Sequence, residues 1–369
     1  MFESSLSKTS TALEQLFCHT TSRFRSYRSS ARMATAEVAV QKKHDVSTQD
    51  TAQQDNVTST GLNFKAKLPS QAWDSHMHVL DPRFPLSPSA VYVPSSSAPT
   101  KLKHAQHFES GVGLDNIVLV QPSIYGYDNS CLLDALRTLG PDRARGVVAF
   151  EDPAAWAANE EAESHQILRE WHELGVRGVR INLQSVGSKD VPPEDFRAML
   201  QRYIDVVRPF GWVVQLYVAM DMVHILEPLV RSNNHDGFKL CIDHMGHPHV
   251  SRLAEYQATR DPYTIPGFDA LVRLLDTGKV FVKMSAAYRF SAEMATSTPP
   301  NVWPIATELL RVAGHSRVVF ATDWPHTRFD GLDIRPWIQS IVDMCSGDEE
   351  LIERVFRGNA EDLWSVERQ

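Results

Sequence analysis

From Trp73 onward the chain alternates between short β-rich apolar runs and longer stretches whose apolar residues recur at helical spacing. The short runs predict strands at Trp73–Leu80, Asn116–Pro122, Arg145–Phe150, Val176–Asn182, Trp212–Val218, Leu240–Gly246, Val280–Ala286 and Val318–Trp324. Between them, sets such as Ile167/Trp171/Leu174, Met199/Tyr203/Val206/Val207 and Ile305/Leu309/Val312 mark one apolar face of a helix. Strands alternating with helices through short connections make βαβ units and a parallel sheet. Eight such units predict closure into a single-domain (β/α)8 TIM-type barrel over residues 66–369. No GxGxxG follows the first strand, which removes the usual dinucleotide-binding reading; Gly111-Val112-Gly113 is too short to count.

Residues 1–65 break this pattern. They are rich in Ser, Thr, Gln and Ala and show few apolar positions at either period, so a disordered N-terminal extension is expected. Within it, Arg23, Arg25, Arg28 and Arg32 lie among serines with no acidic residue from Phe17 to Arg32, the composition of a mitochondrial transit peptide. Met33-Ala34-Thr35-Ala36 would equally serve as an alternative start. The expected compartment is the cytoplasm, or the mitochondrion if residues 1–33 act as a transit peptide.

Composition narrows the chemistry. With 37 Lys plus Arg against 45 Asp plus Glu the formal charge is −8, which argues against a general nucleic-acid binder. No run reaches the ~18 apolar residues of a membrane span. Cys18, Cys131, Cys241 and Cys345 lie far apart and form no CxxC pair, as in a reduced intracellular protein. A small-molecule substrate is the better expectation, with homo-oligomerisation left open.

A barrel carries its chemistry at the C-terminal ends of its strands. There the first strand reads Asp74-Ser75-His76-Met77-His78, and strict alternation would place His76, His78 and Asp74 on one face. The sixth ends Ile242-Asp243-His244-Met245-Gly246-His247-Pro248-His249, with Gly246 permitting a tight turn and His249 expected as a solvated loop residue. The eighth ends Thr322-Asp323-Trp324-Pro325-His326. A carboxylate opposite three imidazoles suits a metal or a general base. Ser123, Arg180, Tyr217 and Tyr288-Arg289 close other strands; the guanidinium fork of Arg180 or Arg289 suits a carboxylate or oxyanion, although a surface ion pair is the commoner fate of an arginine.

These motifs resemble the amidohydrolase superfamily, and within it the amidohydrolase-related branch that includes 2-pyrone-4,6-dicarboxylate lactonases. The resemblance runs from Trp73 to about Trp364 and rests on residues 74–79, 120–126, 175–182, 242–246, 283–291 and 321–326. It implies hydrolysis of a lactone. Asp323 would take a proton from water, while His76, His78 and His244 polarise the carbonyl. Tyr92, Ser123, Arg180, Tyr217, His247, Arg289 and His326 would line the substrate site. Two positions depart from the pattern: Val186 and His247 stand where arginines are expected. Losing two guanidiniums implies a lactone with one carboxylate, or a neutral and more apolar one.

Superfamily members commonly bind a divalent ion through these positions and a strand-five ligand. Strand five here, Trp212–Tyr217, offers neither histidine nor lysine, which favours metal-free catalysis; otherwise His76, His78 and Asp323 would hold one zinc ion. Two other readings compete with a lactonase. One is a metal-dependent non-oxidative decarboxylase of the same superfamily, which the missing strand-five histidine opposes. The other is a catalytically silent barrel used as a scaffold, which the intact set of three histidines and one aspartate opposes.

Overall fold

The structure, a computed structural model, describes residues 66–95, 98–151, 153–156, 163–184, 191–232, 237–290 and 298–366. The expected N-terminal extension, Cys18, Val186, the segment 187–190 and most of the loop 291–301 fall outside them.

Eight parallel strands form one sheet in the order β1 to β8. They are β1 (Trp73–Met77), β2 (Asn116–Val120), β3 (Ala144–Val148), β4 (Val176–Asn182), β5 (Val213–Tyr217), β6 (Lys239–Ile242), β7 (Val280–Met284) and β8 (Val318–Phe320). A helix follows each: α1 (Leu102–Val112), α2 (Ser130–Leu139), α3 (Glu163–Glu173), α4 (Pro193–Val207), α5 (Glu227–Arg231), α6 (Phe268–Asp276), α7 (Trp303–Ala313) and α8 (Arg335–Met344). This is the TIM-type barrel that the alternation predicts. In α4, Pro193 opens the helix and Glu194 and Asp195 meet its positive end, while Phe196, Leu200, Tyr203, Ile204 and Val207 turn toward the sheet and are buried.

Two apolar layers result. The larger lies between sheet and helices; the smaller gathers Trp73, Val118, Val120, Val147, Val213, Cys241, Phe281 and Val319 with Leu363 and Trp364 from a short helix at Asn359–Leu363. Residues drawn from seven of the strands fill the second layer, so the barrel interior is packed rather than open.

The seam between β8 and β1 is irregular, and it builds the site. A single bridge, Met77 with Trp324, replaces an extended ladder. Beside it Asp323 N–H donates to His76 O at 2.9 Å and His78 N–H donates to Trp324 O at 2.8 Å. Below, the Asp74 carboxylate accepts the Thr322 backbone N–H at 2.9 Å and also the Thr322 hydroxyl, so a side chain takes the place of ladder carbonyls. The β1–β2 register shifts between Asp74 and Met77. That break corrects the expectation from alternation: Asp74 bonds across the seam and does not join the histidines.

Cys131, Cys241 and Cys345 are buried and free. Among the described residues no helix is long and apolar enough to cross a membrane.

Candidate active site

Asp323 is the centre of the strand-end cluster. Its side chain is 2% exposed, and its φ of 62° lies in the left-handed region, which swings the carboxylate inward from the end of β8. The two carboxylate oxygens have different company. Oδ2 accepts from Tyr288 OH at 2.6 Å and from Arg289 Nε at 2.9 Å, with Arg289 Nη2 ion-paired to it at 2.8 Å. Oδ1 faces three imidazole nitrogens: His76 Nε2 at 3.7 Å, His78 Nε2 at 3.9 Å and His244 Nε2 at 3.9 Å. Burial alone would raise the Asp323 pKa. The Arg289 guanidinium outweighs it and holds the carboxyl well below the usual range.

The imidazoles are neutral. Burial is the main cause, lowering His78 and His244 to about 4 and His76 well below its ordinary value. Their second ring nitrogens are committed. His78 Nδ1 lies 2.7 Å from the Val120 carbonyl, which can only accept, so the proton sits on Nδ1 and the Nε2 lone pair faces the site. His244 Nδ1 meets Ser285 Oγ at 2.7 Å. His76 Nε2 lies 3.3 Å from His78 Nε2, and its Nδ1 faces Lys283 Nζ at 3.3 Å and Asp243 Oδ1 at 3.4 Å.

His244 sits on an unusual element. His244, Met245, Gly246 and His247 have φ of 54°, 52°, 77° and 49°, a left-handed turn in place of the last residues of the expected sixth strand. It is closed by Gly246 N–H to Asp243 O and His247 N–H to His244 O. His247 Nδ1 is 3.0 Å from Tyr217 OH, at the end of β5, and the Tyr217 ring stands edge-on to His244.

The remaining expected residues divide. Arg180, buried on β4, donates from Nη1 to Gln121 O at 3.0 Å and lies 3.6 Å from Asp243 Oδ2, while its Nε has no hydrogen-bond partner. His326, lowered by burial to about 4, packs its ring on Tyr288, and its Nε2 is buried without a hydrogen-bond partner. Tyr92 and His326 meet across a cavity of ≈ 350 Å³ walled by Leu80, Phe108, Trp324 and Leu332. Ser123 opens a short 3-10 turn after β2 and is half-buried, without a contact to the imidazoles among the described residues. His249 is not solvated as expected: half-buried, it stands edge-on to His247 and 3.4 Å from Gln184 Nε2.

Behind the imidazoles lies a polar layer that sequence reasoning missed. Lys283 is fully buried on β7 and donates to Gln215 Oε1 at 2.6 Å; Gln215 Nε2 in turn donates to Asp243 Oδ2 at 3.0 Å. A lysine inside the apolar run Val-Phe-Val-Lys-Met of a doubly covered strand was the available signal.

The same atoms fit a zinc ion. The 3.3 Å between His76 Nε2 and His78 Nε2 is close to the edge of a tetrahedron with Zn–N bonds of about 2 Å. A ligating imidazole needs an acceptor for its other N–H. His78 has Val120 O, and for His76 the candidate is Asp243 Oδ1, a buried oxygen without a hydrogen-bond partner.

A TIM barrel with an HxH pair at the end of β1, a histidine after β6 and an aspartate after β8 can hold a metal ion or carry acid–base chemistry. The chain belongs to the amidohydrolase family (Amidohydro_2), whose profile matches residues 73–366. It is 26% identical over 265 residues to the 4-sulfomuconolactone hydrolase of Hydrogenophaga intermedia, covering 71% of this chain and 77% of that protein. It is 26% identical over 270 residues to the 2-pyrone-4,6-dicarboxylate hydrolase of Comamonas testosteroni, covering 70% and 78%. Among solved structures, a Burkholderia multivorans amidohydrolase with bound zinc shares the fold at a TM-score of 0.60 and 19% identity, over 80% of this chain and 99% of that one.

Proposed function

We propose that the protein hydrolyses the ring ester of a small lactone derived from an organic acid or an aromatic compound, with Asp323 as general base. One observation carries this reading: Asp323 has one oxygen closed off by Tyr288 and Arg289 and the other turned toward three neutral imidazoles. The lactone-hydrolase names of the two relatives above support it.

The chemistry divides among the chain's own residues. Asp323 Oδ1 takes a proton from water, and the resulting hydroxide attacks the lactone carbonyl. His78 presents only a lone pair at Nε2, so it accepts from the water and orients it. His76 and His244 can each present Nε2–H, and they donate to the oxyanion as the carbonyl becomes tetrahedral. When the ring C–O bond breaks, the leaving alkoxide or enolate takes the proton from Asp323. Held by His76, His78 and Asp323, a zinc ion would supply Lewis-acid polarisation and a more acidic water. The residues above suffice without it, and Gln215 on β5 is already engaged by Lys283 and Asp243.

The arginines bear on the substrate. Arg289 is spent on Asp323, while Arg180 keeps a buried Nε without a partner. An arginine with an unpaired Nε suits a lactone with one carboxylate, and the apolar walls of the cavity beside His326 suit an apolar remainder.

The test is a lactone panel followed by pH-stat, with the Asp323→Asn variant. Turnover is expected to release a proton near neutral pH; net uptake would indicate decarboxylation instead. Asp323→Asn should lower kcat about 10³-fold with KM little changed. Near-normal kcat in a folded variant would exclude Asp323 as the base.

A further inference from the structure

We propose that Lys283 is a positioning residue that keeps the proton of His76 on Nε2, and that it thereby weakens zinc binding at His76, His78 and Asp323. The argument begins with competition for one nitrogen. His76 Nδ1 lies between a donor, Lys283 Nζ at 3.3 Å, and an acceptor, Asp243 Oδ1 at 3.4 Å. Only one of them can be satisfied. A nitrogen that accepts from lysine carries a lone pair, and one that donates to aspartate carries the proton.

The geometry favours the lysine. Lys283 Nζ is hydrogen-bonded to His76 Nδ1, whereas Asp243 Oδ1 approaches that ring nitrogen only at ion-pair distance. Nζ is a donor whether or not it is charged, so the assignment does not depend on its protonation. Its surroundings hold it in place. Gln215 Oε1 fixes it at 2.6 Å, Asp243 Oδ1 lies 3.4 Å away, and the Trp364 ring stands 5.2 Å from Nζ. The side chain is fully buried.

The consequences run in order along the ring. With Nδ1 accepting, the neutral His76 proton lies on Nε2, directed toward His78 Nε2 at 3.3 Å and the Asp323 side of the site. That is the form needed to donate to an oxyanion. A zinc-ligating His76 needs the opposite form, with the lone pair on Nε2 and Nδ1–H on Asp243 Oδ1. Lys283 therefore holds His76 in its donor form, and Asp243 is the acceptor that a bound metal would require.

The experiment uses no substrate, so its failure and the failure of the lactonase reading are distinguishable. In the chelator-treated wild-type protein, ¹⁵N NMR of the histidine rings, with His76 identified by its loss in His76→Gln, should show a proton on Nε2 and none on Nδ1. A proton on Nδ1 would overturn the proposal without any further variant. Zinc affinity is then measured by chelator competition. Lys283→Met should bind zinc about tenfold more tightly than wild type, and Asp243→Asn about tenfold more weakly, the scale on which ligand-supporting partners act. A folded Lys283→Met protein with unchanged or weaker zinc affinity would overturn the proposal. If Lys283→Met does not fold, the wild-type tautomer and Asp243→Asn still decide, and unchanged zinc affinity in folded Asp243→Asn counts against it.

Discussion

At the scale of the residue, Asp323 sets a compromise. Arg289 keeps it ionised far into acid, which guarantees the base form but lowers its proton affinity. Replacing Arg289 by Met removes that hold and also relieves the lowering that Arg289 exerts on His244. Both effects have one sign, so the acid limb of the kcat/KM profile should move up by about one unit or more; a limb that stays in place would show that Arg289 does not govern the cluster. The sequence made the candidate site visible, because His76, His78, His244 and Asp323 interrupt apolar strand ends with ligand-type side chains. Their support was hidden. Asp243 stands in sequence merely beside a histidine, Gln215 within a strand and Lys283 within an apolar run. Only the closure of the barrel brings β5, β6 and β7 together behind β1, and no local pattern records that proximity.

At the scale of the element, the strand predictions found all eight strands but ran past several of their ends. The first was expected to Leu80 and stops at Met77, the sixth to Gly246 and stops at Ile242, the eighth to Trp324 and stops at Phe320. The overrun has a physical cause. After the sixth and eighth strands the chain leaves extended geometry where the candidate site residues stand: His244, His247, Asp323 and His326 all have positive φ. Hydrophobic patterning marks what is buried, and these segments are buried whether or not they remain in the ladder. The turn after β6 concentrates the strain, since non-glycine residues in this region cost about 1 kcal/mol or more each. Gly246 relieves one of its four positions. A Cβ there would add left-handed strain at φ 77° and would stand 2.8 Å from Met220 Cε, a side-chain tip that can shift. Gly246→Ala should therefore lose about 1–2 kcal/mol in chemical denaturation. It should also lower kcat, since the same turn carries His244 and His247. Unchanged stability would mean that the turn relaxes without its glycine.

At the scale of the whole molecule, the site makes folding depend on pH. His78, His244 and His326 are lowered by burial to about 4, and His76 lies lower still. In the unfolded chain all four return to about 6.5. Below that value the unfolded state takes up protons that the folded state refuses, so these groups destabilise the fold as pH falls from about 6.5 toward 4. Two carboxyls act in the opposite direction. Burial raises Asp74 to about 6 and Glu109, which packs against it from α1, well above its usual value. The folded state keeps those protons longer than the unfolded chain does, so their contribution grows on acidification. Four imidazoles against two carboxyls leave the unfolded state with about two more protons near pH 5, a slope of about 3 kcal/mol per pH unit. Chelator-treated protein should accordingly lose stability steeply between pH 6 and pH 5 in urea titrations. His326→Asn removes one of the four and should flatten the slope by about 1.4 kcal/mol per unit. Stability that is level or rising from pH 7 to pH 5 would mean that the imidazoles are charged in the folded protein, and with them the neutral cluster facing Asp323 would fall.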